Sequence, residues 1–234
     1  YNSTFTLNKV GDDGGAIYWE GDYGTIENIT CHDNHGISYN TSTSRGGAVS
    51  LIGSNITITK SKFTYNNVSY SEGANMSKLD GGAILITGSN ITISGTEFSH
   101  NYALNYGGTI FILGNETIVE NCTFDNTNAT RGGAIYVEGH NATISASFKN
   151  TNATLSGGAI YVNGENATIV NSSFDSTYAF GSVNNGGGAI MVNGNFTSIE
   201  KSNFTNTHAD NNHEARGGAI YIKGIATNIT DSKF

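Results

Sequence analysis

One motif recurs along the whole chain, and that recurrence limits the possible folds more than any other feature. Gly132-Gly133-Ala134-Ile135-Tyr136-Val137 has close copies beginning at Gly14, Gly46, Gly81, Gly107, Gly157, Gly187 and Gly217. Successive copies start 32, 35, 26, 25, 25, 30 and 30 residues apart. The unit is therefore about 25 residues long with insertions, inside the range of solenoid repeats.

Each unit carries three apolar beats. In the glycine-led strand, Ile17, Val49, Ile84, Ile110, Ile135, Ile160, Ile190 and Ile220 form one column, and Trp19, Leu51, Ile86, Ile112, Val137, Val162, Val192 and Ile222 form the column two residues on. Alternation with period two marks a strand with those side chains inward. The second beat is a Thr-Ile pair, with Ile26, Ile58, Ile93, Ile118, Ile144, Ile169, Ile199 and Ile229 expected inside. The third is a column of Phe5, Phe63, Phe98, Phe124, Phe148, Phe174, Phe204 and Phe234, with Cys31 in the Phe place of one unit. Three short strands per turn of about 25 residues predict an all-β chain, a right-handed parallel β-helix of about eight to nine turns and roughly 40 Å. Residues 1–234 read as a single β-helix segment, expected to be part of a longer extracellular chain.

The small polar residues suit such stacking. Ser61, Thr96, Ser172, Ser202 and Ser232 lie two before the Phe column and predict an inward hydroxyl ladder bonding member to member and to backbone. Asn8, Asn34, Asn66 and Asn101 lie three after it, at a bend where Asn tolerates left-handed φ, and Thr127, Thr151, Thr177 and Thr207 continue the column. The double glycine supplies a tight turn that a Cβ would obstruct.

The pairing of GGAI with FxxN, as in Gly81 to Ile84 and Phe98-Ser99-His100-Asn101, resembles the repeats of chlamydial-type polymorphic membrane proteins and of adhesin-like surface proteins of methanogenic archaea. The resemblance implies a right-handed β-helix exposed on a cell surface and used for adhesion. From Phe124 onward the motif becomes Phe-x-x-Thr, a departure from the bacterial pattern.

Seventeen asparagines stand in Asn-x-Ser/Thr acceptor sequences for N-glycosylation: Asn2, Asn28, Asn40, Asn55, Asn67, Asn75, Asn90, Asn115, Asn121, Asn128, Asn141, Asn152, Asn166, Asn171, Asn195, Asn203 and Asn228. With 31 asparagines and about a fifth of the chain Ser or Thr, roughly seven would arise by chance. Repetition multiplies any one occurrence, so the sites are not independent. Parity nevertheless turns Asn141 and Thr143 outward when Ile144 points in. Asn55, Asn90, Asn115, Asn141 and Asn166 are expected to share one outward column, and loop sites such as Asn40 and Asn75 to be less crowded.

A second outward column holds Tyr18, Ser50, Leu85, Phe111, Tyr136, Tyr161, Met191 and Tyr221, beside Ala134, Ala159, Ala189 and Ala219. Tyr18, Phe111, Tyr136, Tyr161 and Tyr221 predict an apolar stripe that could receive another copy of the chain, a protein or glycan of another cell, or sugar rings stacked on tyrosine. Stacking between turns that only stabilises the strand is the competing reading.

Other features bound the chemistry. A net charge of −8, from 19 acidic and 11 basic residues, argues against nucleic acid or an anionic membrane as partner. No stretch has the roughly 18 consecutive apolar residues of a membrane span. Asp13, Arg45 and Asp80 alternate in sign on neighbouring turns and predict an exposed charge ladder. Cys31 and Cys122, about three turns apart, are too distant for a disulfide and are expected as buried free thiols. Many β-helices cleave polysaccharides, but the only adjacent carboxylates are Asp12-Asp13, and Arg45, Arg131 and Arg216 share one repeat position, so no active site is expected. His208, Asp210 and His213 read as solvated loop residues rather than metal ligands, and no cofactor is expected. Outward Thr57, Thr92, Thr117, Thr143 and Thr168 could suit ice binding, yet neighbouring acceptor asparagines would crowd that face. The sequence thus points to a non-catalytic, N-glycosylated adhesin or surface-fibre segment at the cell surface, with a polysaccharide-binding or polysaccharide-degrading β-helix as the alternative.

Overall fold

A computed structural model describes residues 2–38, 43–71, 78–180, 186–210 and 215–234. All regular structure among them is β-strand, and the strand pairs are parallel. The glycine-led strands, from Ile17–Trp19 to Ile220–Ile222, form one eight-stranded sheet, each strand paired with the next copy. The chain is a parallel β-helix.

Besides a two-stranded pairing of Ser44–Arg45 with Leu79–Asp80, three long sheets divide the unit differently from the three apolar beats. The Thr-Ile and Phe strands belong to one 14-stranded sheet, because Ile118–Asp125 and Thr143–Lys149 each run through both positions without a break. The third sheet is built after the Asn/Thr column, from Lys9–Val10, His35–Ser38, Asn67–Tyr70, Tyr102–Ala103, Asn128–Arg131, Asn152–Ser156, Tyr178–Phe180 and His208–Asp210. Alternation there is carried by Val68, Ala103, Ala129, Ala153 and Ala179, all buried. Alanine gives too weak an apolar signal to announce a strand.

Inside, like residues stack on like. Phe63, Phe98, Phe124, Phe148, Phe174, Phe204 and Phe234 form a continuous stack with ring centroids 4.8 to 5.3 Å apart. The Asn ladder forms as well: Asn34 Oδ1 accepts from the backbone and side-chain nitrogens of Asn8, Asn66 Oδ1 from those of Asn34, and Asn101 Oδ1 from those of Asn66, at 2.8 to 3.1 Å. The Nδ2 groups also reach the carbonyls of Phe5, Cys31 and Phe63. Left-handed φ falls one residue earlier than expected, at Leu7, Asp33, Tyr65 and His100, which leaves each Asn side chain pointing into the rod. Where Thr takes over, the hydroxyls of Thr127, Thr151 and Thr177 are buried without a partner.

Several expectations are corrected. The hydroxyl ladder links its members through backbone amides rather than hydroxyl to hydroxyl: Ser61, Ser172 and Ser202 donate to the carbonyl two residues earlier, and the amides of Ser61, Ser172 and Ser202 donate to the hydroxyls of Thr96, Ser202 and Ser232 on the next turn. Val119, not Ile118, faces inward, because Ile93 pairs with Val119 and Thr92 with Ile118. A slip of one residue exchanges the faces, so Ile118 is exposed and Thr117 is buried. Ala134, Ala159 and Ala189 are in the main core rather than outside. The amides of Ala134 and Ile135 both donate to the carbonyl of Ala159, so the chain bends there and alternation begins only at the Ile.

Close approach between turns accounts for a third glycine in each unit. Gly53, Gly88, Gly114, Gly139, Gly164, Gly194 and Gly224 form a column in which a Cβ on Gly88 would lie 1.9 Å from the carbonyl oxygen of Gly53. Gly95, by contrast, would place its Cβ in open space, in a column with Lys60 and Asn121. Gly88→Ala should therefore destabilise the chain by about 3 kcal/mol or more, whereas Gly95→Asn should change stability by less than about 0.5 kcal/mol. Phe148→Ala, which opens the ring stack, should cost about 3–5 kcal/mol. Urea unfolding of the three variants measures these differences, and equal effects at the two glycines would refute the close-packing account.

Candidate interaction surface

The outward column of the glycine-led sheet is largely covered. Leu85, Phe111 and Tyr136 are buried in a small apolar cluster of their own, outside the main core, with Tyr106, Leu113 and Tyr161 packed against it. Tyr106, from the segment before Gly107, stacks on Tyr136 at 4.6 Å, and Tyr161 stacks on Tyr136 at 4.9 Å. The Arg131 guanidinium lies 5.8 Å from the Tyr106 ring centre. The expected exposed stripe is thus corrected at Phe111 and Tyr136, whose outward parity holds but whose surface is used within the chain. Burial raises the Tyr136 and Tyr161 hydroxyls above the ordinary phenol value. Only Tyr18 stays strongly exposed, at 54%, while Tyr161 and Tyr221 are half-buried. Tyr221 accepts a hydrogen bond from Arg216, with Lys223 5.3 Å from its ring centre. A column of rings that face one another presents mainly edges to a partner.

The charge ladder is also less exposed than expected. Arg45 Nη2 contacts Asp13 Oδ2 at 3.1 Å, and Arg45 pairs in register with Asp80, which is 3% exposed. Burial raises the Asp13 carboxyl despite Arg45 and pushes the Asp80 carboxyl up to about 7, against the opposing attraction of Arg45. Both thiols are buried and free, Cys31 pushed up to about 12 and Cys122 to about 11 by burial, so neither is a nucleophile near neutral pH. Among the described residues, no three His, Cys, Asp or Glu gather as a metal site. His208 bonds Asn206 and stacks on Tyr178; His213 lies outside the described residues.

The acceptor asparagines sort by position. Asn40 and Asn75 lie outside the described residues. Of the remaining fifteen, ten are exposed, five (Asn55, Asn67, Asn128, Asn152 and Asn195) are half-buried, and none is buried. The fully buried ladder members Asn34, Asn66 and Asn101 carry no acceptor sequence. Asn55, Asn90, Asn141 and Asn166 occupy the left-handed bend before the Thr-Ile strand, but Glu116 rather than Asn115 holds that place in the intervening turn. Asn2, Asn28, Asn121 and Asn171 occupy the left-handed bend before the Phe strand. Asn67, Asn128 and Asn152 lie on the third sheet. The strands of the glycine-led sheet bear none.

Sequence reading missed the outward column of the third sheet, where Asn67 pairs with Tyr102, Tyr102 with Asn128, Asn128 with Asn152, and Asn152 with Tyr178. Its place was available, one residue after each Asn or Thr of the inward column. Adjacent acceptors elsewhere touch: Asn90 Nδ2 donates to Asn55 Oδ1 at 2.6 Å, and Asn28 Nδ2 donates to Asn2 Oδ1.

Residues 2–18 match the Chlamydia polymorphic membrane protein repeat. The span includes Phe5, Asn8 and Gly14 to Ile17, so the match falls on one FxxN and one GGAI. It supports polymorphic-membrane-protein-like repeats there. No curated protein and no solved structure matches the chain. No helix among the described residues is long and apolar enough to cross a membrane.

Because the folded state holds the Asp80 proton more tightly than the unfolded chain, ionisation removes stability as pH rises from about 4 to about 7. Asp80→Asn should therefore match the parent near pH 4 and exceed it at pH 8 by on the order of 1–4 kcal/mol. Parallel stability curves for the two proteins across that range would contradict this account.

Proposed function

We propose that the chain is a non-catalytic, N-glycosylated β-helix segment of an extracellular adhesin or surface fibre, mediating cell-surface attachment or contact between cells. The observation that carries the glycosylation reading is the segregation of asparagine: no described acceptor is buried, while the three fully buried asparagines lack the acceptor sequence. The bends explain part of this by themselves, since left-handed φ favours Asn and the strand that follows favours Thr two residues on. They do not explain the acceptors on the third sheet or at Asn203 and Asn228, which sit within strands. The partner would be a surface protein or glycan of another cell, or further copies of this chain, with Tyr18, Tyr161 and Tyr221 the accessible part of the aromatic column.

Site-resolved glycopeptide mass spectrometry of the native protein tests the reading. Neighbouring turns lie about 4.8 Å apart, close to the width of one sugar ring. In the touching pairs Asn2/Asn28 and Asn55/Asn90, the summed occupancy should stay near one glycan per pair, while Asn171 and Asn203 should be more fully modified. A native protein without glycan on any acceptor would overturn the proposal.

A further inference from the structure

The third sheet interleaves acceptor asparagines with tyrosines. In the column Asn67, Tyr102, Asn128, Asn152, Tyr178, each acceptor has a tyrosine directly beside it on an adjoining turn. The column points outward, because Val68, Ala103, Ala129, Ala153 and Ala179, one residue further on, are buried. Elsewhere on the rod, rings in one column pack face to face, as do Phe148 on Phe174 and Tyr136 on Tyr161. Tyr102 differs. It is 40% exposed, its column neighbours on both sides are asparagines, and no ring stacks on it among the described residues. Tyr178 stacks on His208 with an interplanar angle of 6°, lies nearly parallel to the Phe180 ring of its own strand at 6.0 Å, and has Asn152 on the adjoining turn opposite His208.

We infer that Asn67, Asn128 and Asn152 are glycan-bearing sites whose first sugar packs on tyrosine, those of Asn67 and Asn128 on the two faces of Tyr102 and that of Asn152 on the side of Tyr178 away from His208. This inference rests on the glycosylation reading above. A pyranose ring presents weakly positive axial C–H groups, complementary to the negative face of an aromatic ring. The separation fits as well, since a sugar on Asn67 starts one turn, about 4.8 Å, from Tyr102, the spacing at which rings in this rod already stack. The arrangement also relieves crowding. Asn128 and Asn152 are direct neighbours, but Tyr102 lies beyond the first and Tyr178 beyond the second, so the two glycans lean apart along the rod. The acceptors at the bends lack this relief, and Asn90 there hydrogen-bonds its neighbour.

Two measurements on the full chain test the inference. In glycopeptide mapping of the native protein, Asn67 and Asn128 should carry glycan. Modification of other acceptors with Asn67, Asn128 and Asn152 all bare would overturn this inference and leave the glycosylation reading standing; absence of glycan everywhere would overturn both. The second is a thermal-unfolding cycle on protein from an N-glycosylating host, comparing the chain with its Asn67→Gln/Asn128→Gln variant, each with Tyr102, Tyr102→Phe or Tyr102→Ala. The glycans should raise the unfolding temperature by about 1–4 °C with Tyr or Phe at 102 and by nothing measurable with Ala. The same proteins from a host without N-glycosylation should show no such dependence. Equal increments for all three residues at 102, or the same dependence without glycan, would overturn the stacking.

Discussion

Parallel backbone pairing of each turn with the next, in register and at contact distance, is the constraint on which this molecule depends. The Gly53 to Gly224 column shows how tight it is, since a Cβ there would enter the carbonyl of the turn before. Register makes every position a column of neighbours about 4.8 Å apart. A side chain is then acceptable only if it can lie beside its counterpart. Phenylalanine satisfies this by stacking its rings, and asparagine by donating from one carboxamide to the next while capping a backbone carbonyl. Serine satisfies it by accepting the amide of the turn before it and donating to its own strand.

The same rule governs the outside. Opposite charges stand side by side on adjoining turns, as in Asp13 beside Arg45, Glu27 beside Lys60 and Lys62 beside Glu97. Outward aromatics become neighbours and bury one another's faces, which turns most of an expected docking stripe into a satellite core around Tyr136. Acceptor asparagines are brought together too, and a glycan is the one substituent too wide to repeat at every turn. On the third sheet tyrosine separates Asn67 from Asn128, whereas Asn128 and Asn152 are direct neighbours.

Much of the architecture was legible because period-two alternation and the repeat length are properties of the chain itself. The Ile and Phe columns, the inward Asn ladder and the free buried thiols could be read from spacing. Reading failed where a local pattern competed with the global count. Thr117-Ile118 imitates the Thr-Ile pair, yet Val119, twelve residues after Gly107, takes the inward place, as Ile93 does twelve after Gly81. The third sheet was hidden because its inward side chains are mostly alanine. The Ala134 column was assigned outward because alternation was extended through a bend whose two amides share one carbonyl.

The sequence by itself determined the stacked-turn fold, the identity of most inward columns and the set of acceptor asparagines, because repetition at short range encodes all three. Only the tertiary structure decided which outward residues are free. Exposure depends on what lies on neighbouring turns, 24 to 35 residues away, and on segments that fold back across a face. Tyr106 covers Tyr136 in this way, and only register places Tyr102 between two acceptors. Alternation assigns a side chain to a face of its strand, but packing from elsewhere in the chain decides whether that face meets solvent.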